Sequence, residues 1–325
     1  MKSLSPILRV LMAITLIVSS GLAGAEDVFP SHPIRIVVPY TPGGVNDVVA
    51  RVLASGLTEQ LHQPVIVENR SGAGGDLGTL YVMRQPADGY TLLMTSNAVG
   101  ISTAVKKKPA FDATKDLQPV SFVGTQWMTL VASPAFGPKN VQELVALAKS
   151  KPGGISCATP GPGTPHQLAM EFFKHNAGVD LLMVPFQGSA PALTEVMAGR
   201  VAIYFAAVSS ADPYVRSGKL KVLGVTGHRR LSIYPNVPTF AESGVPNMDF
   251  GFWYGLTAPK GTPPAVVSKL HDAVAAVMQT PKVQAVMREQ ALEVEPKSTD
   301  EFAKLISDDV SNLRAVKKAA NIQID

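Results

Sequence analysis

Three stretches place glycines and small polar side chains between a β-branched run and a helical pattern: "IVVPYTPGGVNDVVARVL" from Ile36, "ISCATPGPGTPHQLAMEFF" from Ile155 and "VPFQGSAPALTEVMAG" from Val184. A strand, a glycine turn and a helix N-terminus leave backbone N–H groups unpaired where an anion can sit. Each such terminus carries about half a positive charge and favours an anion by roughly 0.3–2 kcal/mol, depending on burial. None of the turns contains Lys or Arg, so the chemistry on offer is carboxylate binding by dipoles. Asp47 reads as a helix-start residue whose carboxylate accepts N–H bonds from its own turn, and as a brace rather than a general base. Gly163 and nearby amides are expected at the sheet edge. Thr164 can cap the second helix or donate outward, and His166 is a candidate carboxylate partner. In the third stretch Phe186 ends a strand, Gly188 and Ser189 turn, and Pro191 is tolerated in the first helical turn.

Other chemistry finds less support. "SGAGGDLG" from Ser71 approaches a dinucleotide fingerprint, but it follows the second strand. The next strand, "YTLLMTS", ends without an acid to hold a ribose, so a tight turn is the simpler reading. Cys157 sits in an apolar strand as a buried thiol. There is no G-x-S-x-G elbow and no H-x-x-x-H or Cys–His spacing, and the remaining histidines are scattered. No catalytic residue, metal or cofactor is therefore expected. Asp308-Asp309 reads as part of a solvated helical face, and Lys106 to Lys108 as a solvated loop.

Lys2 and Arg9 flank the short apolar run "VLMAITLIV", and Ala23-Gly24-Ala25 is a small-x-small pattern. Residues 1–25 are expected to be a cleaved secretory signal, with Glu26 the mature start. The net charge is +4, half of it carried by Lys2 and Arg9, and the remaining charges are dispersed. That pattern argues against a nucleic-acid partner. With one cysteine no internal disulfide forms, so burial must supply the stability.

The elements that must position these turns are short apolar runs alternating with helical patterns, which predicts an α/β fold with mainly parallel sheets. From Asn46, Val48, Val49, Val52, Leu53, Leu57 and Leu61 form one stripe. The punctuation divides the chain into one lobe of residues 26–122 and 227–325 and a second of residues 123–226. The Pro-rich "SIYPNVPTFAESGVP" returns the chain to the first lobe. Two lobes leave a cleft between them, the default ligand site.

Six spaced segments then converge on one family: "PIRIVVPYTPGGVND", "QPVIVENRSGAGGDLG", "DGYTLL", "GTPHQLAMEFF", "VPFQGSAPALTEVMAGRV" and "VPTFAESGVPNMDFGFWYGLTAPKGTPPAVV". From about Pro30 to the C-terminus the chain resembles the periplasmic substrate-binding proteins of tripartite tricarboxylate transporters, the Bordetella uptake gene (Bug) family. The resemblance implies a type II, Venus-flytrap periplasmic binding protein, active as a monomer. It would close on a small carboxylate, di- or tricarboxylic or aromatic, and deliver it to a permease of one large and one small membrane subunit. The alternatives are a receptor feeding a membrane sensor and, with no nucleophile or metal set on the turns to support it, a secreted α/β enzyme acting on a carboxylate. By position, the resemblance assigns Tyr40, Pro42, Gly43, Gly44, Asn46 and Asp47 to the first ligand loop, and Thr95, Ser96 and Asn97 to the end of the third strand. Gly163, Thr164, Pro165 and His166, then Phe186, Gly188 and Ser189, come from the second lobe. Two departures stand out. Gln167 occupies a place where relatives often carry His. Ala206-Ala207 replaces a common Asp-Asn pair, which argues against a ligand with an ammonium group and leaves a more apolar wall, Ala207 included, beside Phe186, favouring an aromatic carboxylate.

Overall fold

The structure is a computed structural model that describes residues 29–161 and 164–319. The expected signal segment and the candidate Gly163 lie outside the described residues.

The first lobe is built on β1 (Ile34–Val38), flanked by α1 (Val45–Leu61), β2 (Val65–Asn69), a 3₁₀ turn at Ala73–Gly75, α2 (Asp76–Met83) and β3 (Thr91–Ser96). Both β2 and β3 pair with β1 in parallel. β-branched and aliphatic residues make β1 a central strand, and it is covered by the stripe of α1. Val49, Val52, Leu53 and Leu57 of that helix are buried, while Val48 and Leu61 are half-buried at its margin.

α3 (Ala98–Val105) and α4 (Ala113–Asp116) lead into β4 (Leu117–Ala132). There follow α5 (Val141–Ser150), β5 (Ser156–Thr159), α6 (Pro165–Ala177), β6 (Leu182–Pro185), α7 (Ser189–Met197), β7 (Ile203–Ala207), α8 (Val208–Arg216) and β8 (Lys221–Val225). The chain returns through β9 (Gly251–Pro259), α9 (Pro264–Met278), α10 (Pro281–Glu289) and α11 (Thr299–Ala319). In the second lobe β5 lies between β6 and β7, parallel to both. Each lobe thus has a parallel core, to which β4 and β9 are added antiparallel.

The nine-stranded sheet runs β2-β1-β3-β9-β4-β7-β5-β6, with β8 also on β4. Residues Leu117–Trp127 of β4 pair with β9, and Met128–Ala132 pair with β7 and β8. One strand therefore passes from lobe to lobe. The sequence pattern suggests a strand only from Met128, because Pro119 and Gly124 interrupt the earlier run. In the fold these residues accompany register shifts beside β9 rather than ending the strand. Gly124 is required there, since a Cβ would lie 2.7 Å from the Glu293 carbonyl oxygen.

There are two main cores, and the second also takes in Ile101 and Val105 of α3 and Val310 and Leu313 of α11. Ile34, Ile36, Leu53, Leu92 and Leu256 pack beneath α1 and α9, and Leu130, Leu144, Phe173, Phe205 and Phe240 fill the other. Burying each such side chain contributes about 1.5–3 kcal/mol. The C-terminal helix α11 lies along α3 and β4. Gly100 admits that approach, because a Cβ would sit 2.8 Å from Asp309 Oδ2. Lys317 Nζ donates to the carbonyls of Ala104 and Lys106 at 3.4 and 3.3 Å, satisfying orphan acceptors at the end of α3. Among the described residues, no helix is long and apolar enough to cross a membrane.

Candidate functional site

The turn after β1 is organised by Asp47. This buried carboxylate accepts the Gly43 N–H at 3.0 Å, Arg51 Nε and Nη2 at 3.0 and 2.9 Å, and Asn69 Nδ2 at 2.8 Å. The Arg51 guanidinium, helped by Asn69 and the Gly43 N–H against burial, holds its pKa down at about 2. Asn69 also donates to the Tyr40 carbonyl at 3.2 Å, so the end of β2 grips both sides of the turn. Arg51 is thereby paired within the protein, while the start of α1 has no side-chain cap on Gly44.

A cavity of about 500 Å³ opens where this turn meets α3, β9 and the start of α6. Of the candidate residues, Tyr40, Asn46, Ser96, Asn97, Thr164 and Pro165 line it together. Tyr40 Oη lies 3.4 Å from Ser96 Oγ, and burial raises its pKa, so the phenol remains a neutral donor at neutral pH. Asn97 Nδ2 donates to the Gly251 carbonyl at 3.1 Å and fixes α3 to β9. Thr164 caps α6 by accepting the Gln167 N–H, while its own hydroxyl donates to the Gly161 carbonyl at 2.8 Å. Asn46 Oδ1 is shielded and has no hydrogen-bond partner in the protein. The starts of three helices, α1 at Val45–Asn46, α3 at Asn97–Ala98 and α6 at Thr164–Pro165, therefore face one space. Their summed dipoles favour negative charge.

The remaining candidates lie off this wall. Pro42, Gly43 and Gly44 are exposed in the same turn, and Thr95 is buried in β3 with its hydroxyl unpaired. Phe186 packs against the cluster of Tyr204 and Ala206, Gly188 precedes α7, and Ala207 pairs with Met128 at the end of β7. Ser189 Oγ accepts the Tyr204 hydroxyl at 3.0 Å. His166 stacks on Tyr204 with ring centroids 5.4 Å apart and meets Phe252, a cavity residue, edge-on at 5.3 Å. The residue is half-buried and Nδ1 has no partner; burial disfavours the charged ring. Its pKa falls to about 3, and it is neutral at physiological pH. The buried Cys157 thiol is pushed up to about 12 by desolvation, so it carries no thiolate at neutral pH.

Several wall residues escaped the sequence pattern. Phe252 and Tyr254 alternate along β9 and so share a face. Ala98, Ile101, Ser102 and Lys106 follow helical spacing along α3. That helix is buried almost all round, which hides its periodicity. Gly74 of the "SGAGG" turn joins the wall, and Gly75 packs beneath Tyr40, where a Cβ would lie 3.1 Å from Oη.

Two solvated readings are corrected. Lys107 and Lys108 are exposed, but Lys106 is half-buried on the cavity wall and pairs with Asp76 at 2.5 Å. Asp308 is exposed, whereas Asp309 turns inward to accept Trp253 Nε1–H at 3.1 Å; burial raises its pKa to about 7.

Comparison with known proteins agrees with this geometry. The family model described as "Tripartite tricarboxylate transporter family receptor" matches residues 49–322. Protein BugT of Bordetella pertussis is 32% identical over 312 residues, covering 95% of this chain and 96% of BugT. Among solved structures, Rpa4515 of R. palustris with adipate superposes with a TM-score of 0.77 at 29% identity, over 91% of this chain and 100% of that one. MatC from Rhodopseudomonas palustris with bound malate gives 0.73 at 31% identity, over 89% and 99%. A family model matched over most of the chain, and a relative similar along nearly its whole length, lead to one conclusion: the protein belongs to the tripartite tricarboxylate transporter receptors of the Bug family.

Proposed function

We propose that the chain is a periplasmic solute-binding receptor that holds a small carboxylate between its lobes and delivers it to the large and small membrane subunits of a tripartite transporter. The observation that carries the reading is the convergence of the starts of α1, α3 and α6 on one cavity. No arginine clamp is needed to hold an anion there; oriented N–H groups suffice when water is partly excluded. The adipate and malate named for the two structural relatives support a small acid as ligand. Residues 26–122 and 227–325 would form one closing body and residues 123–226 the other, with the hinge along β4 near Trp127–Met128. Export after removal of residues 1–25, and action as a monomer, complete the reading.

The test is a thermal-shift screen of the leader-free chain against mono-, di- and tricarboxylates at neutral pH. A ligand at a hundredfold excess over its dissociation constant stabilises by about 2.7 kcal/mol. Stabilisation by a sugar or an uncharged compound, with none by any carboxylate, overturns the proposal. Delivery is tested separately, by loss of uptake of the same acid in a strain lacking this chain but retaining the permease.

A further inference from the structure

Lys106 is the only residue with a cationic side chain among the described residues lining the cavity, and it stands at the opposite end of α3 from the start that faces the same space. Over eight residues the helix spans about 12 Å. The ammonium is not loose. It donates to Asp76 Oδ2 at 2.5 Å and lies 3.5 Å from the Ala73 carbonyl, while Ser102 Oγ holds the other Asp76 oxygen at 2.8 Å. An ammonium has three donors, so one remains after these contacts. Ile101, Phe252 and Tyr254 add apolar and aromatic surface to the wall.

Resting on the carboxylate-receptor reading above, we infer that Lys106 is a specificity-determining residue. The helix starts hold one carboxylate, and Lys106, steadied by Asp76, holds a second anionic group at the far end of the same ligand. Asp76 has two effects. It fixes the ammonium so that little side-chain entropy is lost on binding, and it leaves the unliganded pair neutral. The cavity then gains little for a monoacid from Lys106 and rewards a diacid of matching length.

Titration calorimetry with adipate and hexanoate, which share chain length and differ in one carboxylate, reads this directly. Lys106→Met alone leaves Asp76 as an uncompensated charge and should weaken both acids. The double variant Asp76→Asn/Lys106→Met removes both charges and is the decisive chain, with its melting curve as the check on folding. A charge-assisted hydrogen bond corresponds to roughly a 10- to 100-fold change in affinity. The expected result is that wild type prefers adipate at least about tenfold, and that the double variant loses this preference because adipate affinity falls at least about tenfold more than hexanoate affinity. Equal losses for both acids, or an unchanged preference, overturn the role of Lys106 and leave the carboxylate reading standing. If wild type binds no mono-, di- or tricarboxylate at all, both readings fall.

Discussion

Asn69, the last residue of β2, donates one amide group to both Asp47 Oδ1 at 2.8 Å and the Tyr40 carbonyl at 3.2 Å. The strand end thereby holds the two sides of the turn after β1 at a fixed distance. Asp47 in turn takes the Gly43 N–H and Arg51, so the acid in the first turn of α1 shapes the turn beside the cavity without lining it.

Replacing Asp47 by Ala removes the acceptor for four donor groups and leaves the Gly43 N–H and Asn69 amide without it. The expected loss is about 1–3 kcal/mol of stability. Ligand affinity should fall with no change in the order of preferred acids, as measured by calorimetry across the panel. A reordering would place Asp47 against the ligand itself.

Gly75 combines a φ of +106° with a Cβ position 3.1 Å from Tyr40 Oη. Gly75→Ala should cost about 1–3 kcal/mol through backbone strain and also push Tyr40 out of the cavity wall, weakening binding. Gly218 has a φ of +71° with nothing within 4 Å of a Cβ. Gly218→Ala is expected to lower the melting temperature while leaving affinity unchanged, which separates strain from the effect on Tyr40.

His166 has a folded pKa depressed by burial from 6.5 to about 3. The stability it permits is full above its unfolded value and is lost as pH falls from about 6.5 toward 3. His166→Asn should therefore flatten the acid side of the melting profile, by up to about 2 kcal/mol at pH 5. Identical profiles for wild type and variant would show that the ring is freely charged.

Asp309 has the opposite sign, since burial raises it from 3.8 to about 7 while the Trp253 bond pulls it down. Its favourable contribution is complete below about pH 4 and is lost as pH rises through 7. Asp309→Asn keeps an acceptor for Trp253 and should melt a few °C higher than wild type at pH 8, with the gap closing near pH 4. An equal gap at both pH values contradicts this.

Much of this architecture is legible in the residues because the turns carry their own chemistry. Thr164 stands between a glycine turn and a helix start, so local pattern puts it near a cavity, whereas Tyr40, Asn46, Ser96, Asn97 and Pro165 are placed there by the family resemblance. Lys106 is hidden because its role depends on Asp76, thirty residues away in sequence, and on Lys317, which fixes its backbone from α11. Phe252 and Tyr254 arrive only through the return of β9 beside β3, a long-range pairing that no local period records. The spanning strand β4 is masked for a related reason: Pro119 and Gly124 look like breaks until β9 and the Glu293 carbonyl supply the register they fit.

The most direct measurement is a crystal structure of the leader-free protein with a carboxylate that stabilises it. The expected result places one carboxylate group within about 2.7–3.2 Å of backbone N–H groups at the starts of α1, α3 and α6. An acid seated elsewhere, such as the groove between α6 and α11 beside Asn176 and Asn312, would contradict the anion site described for this receptor.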